Sequence, residues 1–179
     1  MIRIGVFAVL VVACGTLFGG AVQAGESAGQ ALDDTTMATK VKAGLVDNKQ
    51  VAAGTINVEV YKGIVQLSGF VGSGAEKSAA LSVAKANGAR KVLDAMVVMP
   101  GKRSAGEVVD DTTLQTEVKA KLVSAEGLGK GISINTWVHR GEVLLAGFVR
   151  DSKTKSEAAR VAGGVKGVKK VINNIAVEP

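Results

Sequence analysis

Most of this chain is stated twice. DDTTMATKVKAGLV at 33–46 returns as DDTTLQTEVKAKLV at 110–123, an offset of 77. TINVEVYKGIVQLSGFV from Thr55 returns as SINTWVHRGEVLLAGFV from Ser133 at an offset of 78, and GARKVLDAMVV from Gly88 as GVKKVINNIAV from Gly167 at 79. Two single-residue insertions account for the drift, and both fall where loops would lie. A duplication of this kind outweighs length as a guide to architecture, so the 179 residues are read as two similar units.

Spacing supplies the element types. Met37, Val41 and Leu45 recur every four residues, as do Leu114, Val118 and Leu122, which puts each trio on one helix face. Asp33-Asp34 and Asp110-Asp111 stand at the expected helix starts, where carboxylates accept orphan amide hydrogen bonds and complement the helix dipole; the expectation is that they cap. Ile56, Val58 and Val60 alternate, Lys62-Gly63 makes a turn, and Val65, Leu67, Gly69 and Val71 alternate again, the pattern of a β-hairpin. Ala-rich stretches at 75–87 and 153–166 predict second helices, and Val92–Val98 and Val171–Val177 predict closing strands. Each unit is therefore an α+β domain ordered helix-strand-strand-helix-strand, a three-stranded sheet with one face packed on two helices. The expected layout is a tail at 25–32, a first domain at 33–98, a short Gly-containing polar linker at 99–109 that permits either docking or a flexible tether, and a second domain at 110–177. At roughly 65 residues a unit is near the lower limit for a self-sufficient core, so packing of one unit on the other is expected.

Residues 1–24 are a separate matter. One Arg at position 3, an apolar run from Ile4 to Phe18 and small residues ending in VQA predict a secretory signal peptide cut after Ala24. The competing reading is a lipobox, VVAC ending at Cys14, which would anchor the protein to a membrane as a lipoprotein. The apolar run continues past Cys14, which favours simple cleavage and a periplasmic protein. Cys14 is the only cysteine, so the cleaved chain has no disulfide or thiolate chemistry. Without Arg3, 21 Lys and Arg face 16 Asp and Glu, a net of +5, and the second half is the more basic, with 11 basic and 7 acidic residues at 110–177. That points a mildly anionic partner towards it.

The pattern V-x-x-G-x-V-x-L-x-G-x-V occurs twice, as Val60, Gly63, Val65, Leu67, Gly69, Val71 and as Val138, Gly141, Val143, Leu145, Gly147, Val149. It resembles the BON domain of bacterial envelope proteins, over almost the whole chain beyond residue 24, and GVKGVKKV near Gly167 is similar to that domain's ending. The first copy departs from the pattern with NGARKV where a Gly-Val pair is usual. The resemblance implies two tandem BON-like domains in an envelope-stress or envelope-integrity protein of the osmotic-stress type. It also implies phospholipid surfaces as ligand, no enzymatic activity and no cofactor, with chaperone-like or scaffold assistance to unfolded envelope proteins as the rival role.

The residues themselves argue against catalysis. The chain has a single His and neither a G-x-S-x-G nor a Walker loop; GLGKGIS at 127–133 lacks the phosphate-loop spacing and reads as a helix-to-strand loop. His139 beside the hairpin turn reads as a solvated turn neighbour, with no second metal ligand at a recognisable spacing. Tyr61, Phe70, Trp137 and Phe148 are few for base stacking, so nucleic acid is not an expected partner. Two surfaces remain. Lys119 and Lys121 flank the apolar stripe of the second domain's first helix and Lys130 follows in the next loop, a setting suited to peripheral contact with anionic phospholipid; the alternative is an ordinary solvated face. Strand alternation sends Trp137, Leu144 and Phe148 to the sheet face away from the helices, either as a surface for protein clients or as a seam buried between domains. The protein is expected to be monomeric or weakly associating.

Overall fold

Helix α1 (Ala28–Asp47) leads through a 3-10 turn at Ala53–Thr55 into β1 (Ile56–Tyr61), β2 (Ile64–Val71), α2 (Gly74–Ala86) and β3 (Lys91–Val98). The order then repeats as α3 (Ala105–Ser124), β4 (Ser133–His139), β5 (Glu142–Val149), α4 (Ser152–Gly163) and β6 (Lys170–Val177). This computed structural model describes residues 28–126, 128 and 133–178; the expected signal peptide, Cys14 and Lys130 lie outside them. The α+β architecture is as expected: two three-stranded sheets, ordered β1-β2-β3 and β4-β5-β6. Each hairpin is antiparallel and each third strand runs parallel to the central one, the pairing that a helical crossover permits.

The same sequence periodicities build both cores. Val41 and Leu45 of α1 pack with Val58, Val65, Leu67 and Val71, while Val118 and Leu122 of α3 pack with Val138, Val143, Leu145 and Val149. Ala80 and Ala84, and their counterparts Ala158 and Ala162, are fully buried; these short side chains let α2 and α4 lie close on their sheets.

The helix starts differ from expectation. α3 begins at Ala105, with Ser104 as its N-cap: the Ser104 hydroxyl accepts from the Glu107 amide at 3.2 Å, and the Glu107 carboxylate accepts from the Ser104 amide at 2.7 Å. The last residues of the expected 99–109 linker are thus helical. α1 likewise runs from Ala28. Asp33-Asp34 and Asp110-Asp111 therefore sit inside helices rather than at their starts, where the neighbouring amides are already taken up by intrahelical bonds, and the capping expectation is overturned.

The two sheets meet face to face. Alternation turns Gln66 and Ser68 of β2, and Leu144, Ala146 and Phe148 of β5, away from the helices, and all five are buried. Gln66 joins the domains with both ends of its amide: Nε2 donates to the Asn174 carbonyl at 3.0 Å, and Oε1 accepts from the Gly147 amide at 2.6 Å. Asn135 Nδ2 donates to the Glu59 carboxylate at 2.7 Å, the Tyr61 hydroxyl donates to Glu178 at 2.8 Å, and the rings of Tyr61 and Phe148 lie 5.4 Å apart. The result is four layers, helix, sheet, sheet, helix. Each small unit gains burial for the sheet face that its own helices leave bare.

Gly147 is the backbone device at this seam. Its φ is +128°, and a Cβ there would stand 2.0 Å from the Ser133 carbonyl oxygen. Gly69, at the same place in the first copy, has φ +136° and the same 2.0 Å approach, to Thr55. Only glycine fits either position.

Candidate functional site

The second aspartate of each DDTT segment holds a hairpin turn. Lys62-Gly63 and Arg140-Gly141 form two-residue loops in which both residues have positive φ, a type I′ geometry in which Lys and Arg are poor first residues. Asp34 compensates: its two carboxylate oxygens accept the Lys62 amide at 2.6 Å and the Gly63 amide at 2.8 Å. Asp111 accepts the Arg140 and Gly141 amides at 2.8 and 3.0 Å, and Arg103 Nη1 at 3.1 Å. Burial pushes the Asp111 carboxyl up, but the two amides and the Arg103 guanidinium outweigh it and hold the group below the usual carboxylate range. The acidic repeat is thus a structural clamp between helix and hairpin.

Arg103 also reaches the Val138 carbonyl at 3.4 Å, while Arg140 bonds the Lys102 carbonyl at 3.1 Å and pairs with Glu107 at 3.4 Å. The segment between the domains is therefore fastened to the second one. Above it, a cleft of about 400 Å³ opens between the units, lined by Phe70, Met99, Arg103, Gln115, Trp137 and His139. His139 is not a solvated turn neighbour. It is 7% exposed, its ring lies 5.1 Å from that of Phe70, and burial, then the Arg103 and Arg140 charges, push its imidazole down. The first domain's sheet covers it. Neither His139 Nε2 nor Trp137 Nε1 has a hydrogen-bond partner among the described residues. No group of three or more metal-ligating side chains occurs among the described residues, and no described helix is long and apolar enough to cross a membrane.

The face expected to receive protein clients is filled by the chain itself. Leu144 and Phe148 are buried against the first domain and Trp137 is half-buried, so of the two readings open from the sequence the structure has the interdomain seam. As a free partner surface, Trp137, Leu144 and Phe148 are corrected accordingly.

The lysines are exposed, but they do not converge. At about 100° per residue, Lys119 and Lys121 are about 200° apart around α3 and occupy opposite flanks of its buried stripe. Lys119 borders a cleft of about 190 Å³ with Leu122, Val123, Leu128, Ile134 and Thr136. Lys121 stands where the first copy has Gly44, on the flank that meets the second helix. Between the two lysines the outer surface of α3 carries Val109, Thr113, Thr116, Ala120 and Val123, with the exposed Asp110 and Glu117 along its Lys121 side. Val109 is 64% exposed and Val123 71%. The threonines add little polarity: Thr112, Thr113 and Thr116 each donate their hydroxyl to the carbonyl four residues back, at 2.8, 3.1 and 3.0 Å. Sequence reasoning picked out the lysines but missed this strip of valine, threonine and alanine. Its signal was the run of Val, Thr and Ala at the helical spacing opposite the core trio.

Duplicated α+β modules, each with an acidic helix residue clamping a parallel-crossover sheet's hairpin, define the class of this molecule. The BON domain family model matches residues 33–100 and again 110–179. The chain belongs to the BON-domain family. It is 34% identical over 149 residues to osmotically-inducible protein Y of Escherichia coli, an alignment covering 82% of this chain and 74% of that protein. It is also 34% identical over 146 residues to the outer membrane lipoprotein DolP of Haemophilus influenzae, covering 80% and 74%. Among solved structures, that of CdsD, a structural protein of the type III secretion system of Chlamydia trachomatis, aligns over 82% of this chain and 64% of that one, less than two thirds of its length. The TM-score is 0.33 and the identity 13%, and nothing about function follows at that level of likeness.

Proposed function

We propose that this is a non-enzymatic envelope protein that attaches peripherally to anionic phospholipid through the outer face of α3. The observation that carries the reading is that face itself: exposed valines and internally satisfied threonines, with Lys119 on one flank and Lys121 on the other, where it stands beside Asp110 and Glu117. A helix lying in the interface plane needs this arrangement, with apolar side chains entering the acyl boundary and lysines reaching back to headgroups on both sides. The opposite flanks that keep the lysines from forming one patch suit them to this role. The relatives support an envelope setting: one is named for induction by osmotic stress and the other is an outer membrane lipoprotein. Export to the periplasm follows from the N-terminal segment read as a signal peptide, with a lipid anchor at Cys14 as the alternative.

Co-sedimentation with neutral or anionic vesicles at low and high salt tests the reading. Binding is expected to anionic vesicles, to weaken as salt rises, and to fall in a Lys119→Glu, Lys121→Glu variant. At about 1 kcal/mol for each lysine near an anionic surface, neutralising two corresponds to about thirtyfold, and reversing them to more. Binding that is indifferent to salt and to the variant, or absent at low salt, overturns it.

A further inference from the structure

The seam between the sheets has two equivalent ends, and they are finished differently. At one end the rings of Tyr61 and Phe148 lie 5.4 Å apart; at the other, their counterparts in the repeat, His139 and Phe70, lie 5.1 Å apart. The backbone beside each pair also matches: the Glu178 amide donates to the Val149 carbonyl and the Met99 amide to the Val71 carbonyl, both at 2.8 Å. At the first end a carboxylate completes the seam, Glu178 accepting the Tyr61 hydroxyl. At the second, Met99 stands where Glu178 does, and the cleft of about 400 Å³ opens there.

A cavity of this size at a domain boundary, with an apolar wall and a few polar groups, has the usual form of a small-molecule site. Phe70, Val71, Met99, Trp137 and Val138 supply the apolar wall. Most polar donors in the lining are spent inside the protein. The Thr55 hydroxyl donates to the Ala52 carbonyl at 2.9 Å, that of Thr112 to the Val108 carbonyl at 2.8 Å, and Gln115 Nε2 to the Thr136 carbonyl at 2.8 Å. Arg103 is the exception. Its bonds to Asp111 and to the Val138 carbonyl both use Nη1, which leaves Nε and Nη2, the edge that grips a carboxylate side-on, without a partner among the described residues. The local field has the matching sign. Burial, then the Arg103 and Arg140 charges, push the His139 imidazole down against the weaker opposing pull of Asp111 and Glu107, so a further cation is disfavoured beside it and an anion is favoured. We propose that this cleft binds a small monocarboxylate with an aromatic body, the ring entering between Phe70, Met99 and Trp137 and the carboxylate held by Arg103. The ligand supplies at this end of the seam the carboxylate that Glu178 supplies at the other, and an aromatic ring suits a wall that already carries two. The cleft lies between the domains, apart from the outer face of α3, so binding there does not depend on the lipid reading.

Trp137, the chain's one tryptophan, lines the cleft and reports its filling by fluorescence. The test titrates the protein with 3-phenylpropionate and, in parallel, with 3-phenylpropionamide, which has the same body without the charge. A saturable change is expected with the carboxylate, and affinity for the amide should be lower by about tenfold or more, the loss of one charge-assisted hydrogen bond. Arg103→Lys keeps a cation beside Asp111 but replaces the fork by a point charge, so it should weaken the carboxylate about tenfold; Arg103→Gln should weaken it further. A thermal melt verifies that each variant is folded, and if Arg103→Gln is not, the lysine variant carries the comparison. No saturable response to 3-phenylpropionate up to about 10 mM overturns the site. Equal affinity for acid and amide, or an affinity unchanged by substitution of Arg103, overturns the recognition of a carboxylate there.

Discussion

Replacing Asp111 by Ala removes the acceptor of three hydrogen bonds at once. The Gly141 amide is buried, so leaving it unpaired costs about 2 kcal/mol; the Arg140 amide is part-buried and within reach of water, so about 1 kcal/mol is the better figure. The pair with Arg103 adds little, because that side chain is 32% exposed and its charge is screened. The sum, about 3 kcal/mol, is a large share of the ~5–15 kcal/mol that holds a typical domain together. Trp137, the chain's one tryptophan, lies in the same domain and reports its unfolding by fluorescence. With an m-value near 2 kcal/mol/M, the urea midpoint should fall by about 1.5 M. Asp110→Ala is the control: that neighbour is exposed, and its loss should stay within about 0.5 kcal/mol. Equal shifts for the two variants would refute the clamp and restore the capping role. The pH dependence gives a second reading. Since the folded carboxyl is held below its ordinary value, its contribution is present above about pH 3.9 and lost as pH falls through the lower folded value. The advantage of wild type over Asp111→Asn should therefore shrink only in that acid range.

Gly147→Ala should be among the most damaging single changes, since the new Cβ meets a backbone oxygen at 2.0 Å at a φ of +128°; backbone strain alone is ~1–3 kcal/mol. Gly74→Ala, with open space around the new Cβ, should be neutral or stabilising in the same melt, and parity between the two would contradict the close approach. Glu59 behaves oppositely to Asp111. Burial at the seam raises its carboxyl, and the bonds from Ser133 and Asn135 only partly oppose this. A raised folded value means the favourable contribution is full below the ordinary value near 4.5 and is lost as pH rises through the folded one. Glu59→Gln keeps an acceptor for Asn135 without the charge, so it should gain stability relative to wild type between acid and neutral urea titrations; wild type gaining instead would contradict the burial of that charge.

Much of the fold was legible because its information is local. Four-residue spacing marked the helix faces, two-residue alternation marked the strands, and the offset of 77 to 79 made each unit a check on the other. The capping box was legible too, in the SAGE of Ser104–Glu107, but the more conspicuous DDTT drew the helix start five residues too far along. An aspartate that caps a helix and one that clamps a hairpin look alike in sequence. What separates them is a partner 28 to 30 residues away, brought near only when helix and hairpin pack.

The candidate surfaces divide along the same line. Alternation assigned Trp137, Leu144 and Phe148 to the outer sheet face, and helical spacing put Lys119 and Lys121 on the borders of a buried stripe. Neither pattern could say what lies opposite. The sheet faces are closed by the other domain through Gln66, Asn135 and Tyr61, and that docking turns α1 and α3 to opposite outer sides. Sequence by itself determined the repeat, the element order, the core faces and the family resemblance, because each is written in neighbouring residues. Only the tertiary structure decided what the aspartates hold, which apolar faces stay open and in which directions they point, because those depend on contacts between segments that the chain keeps far apart.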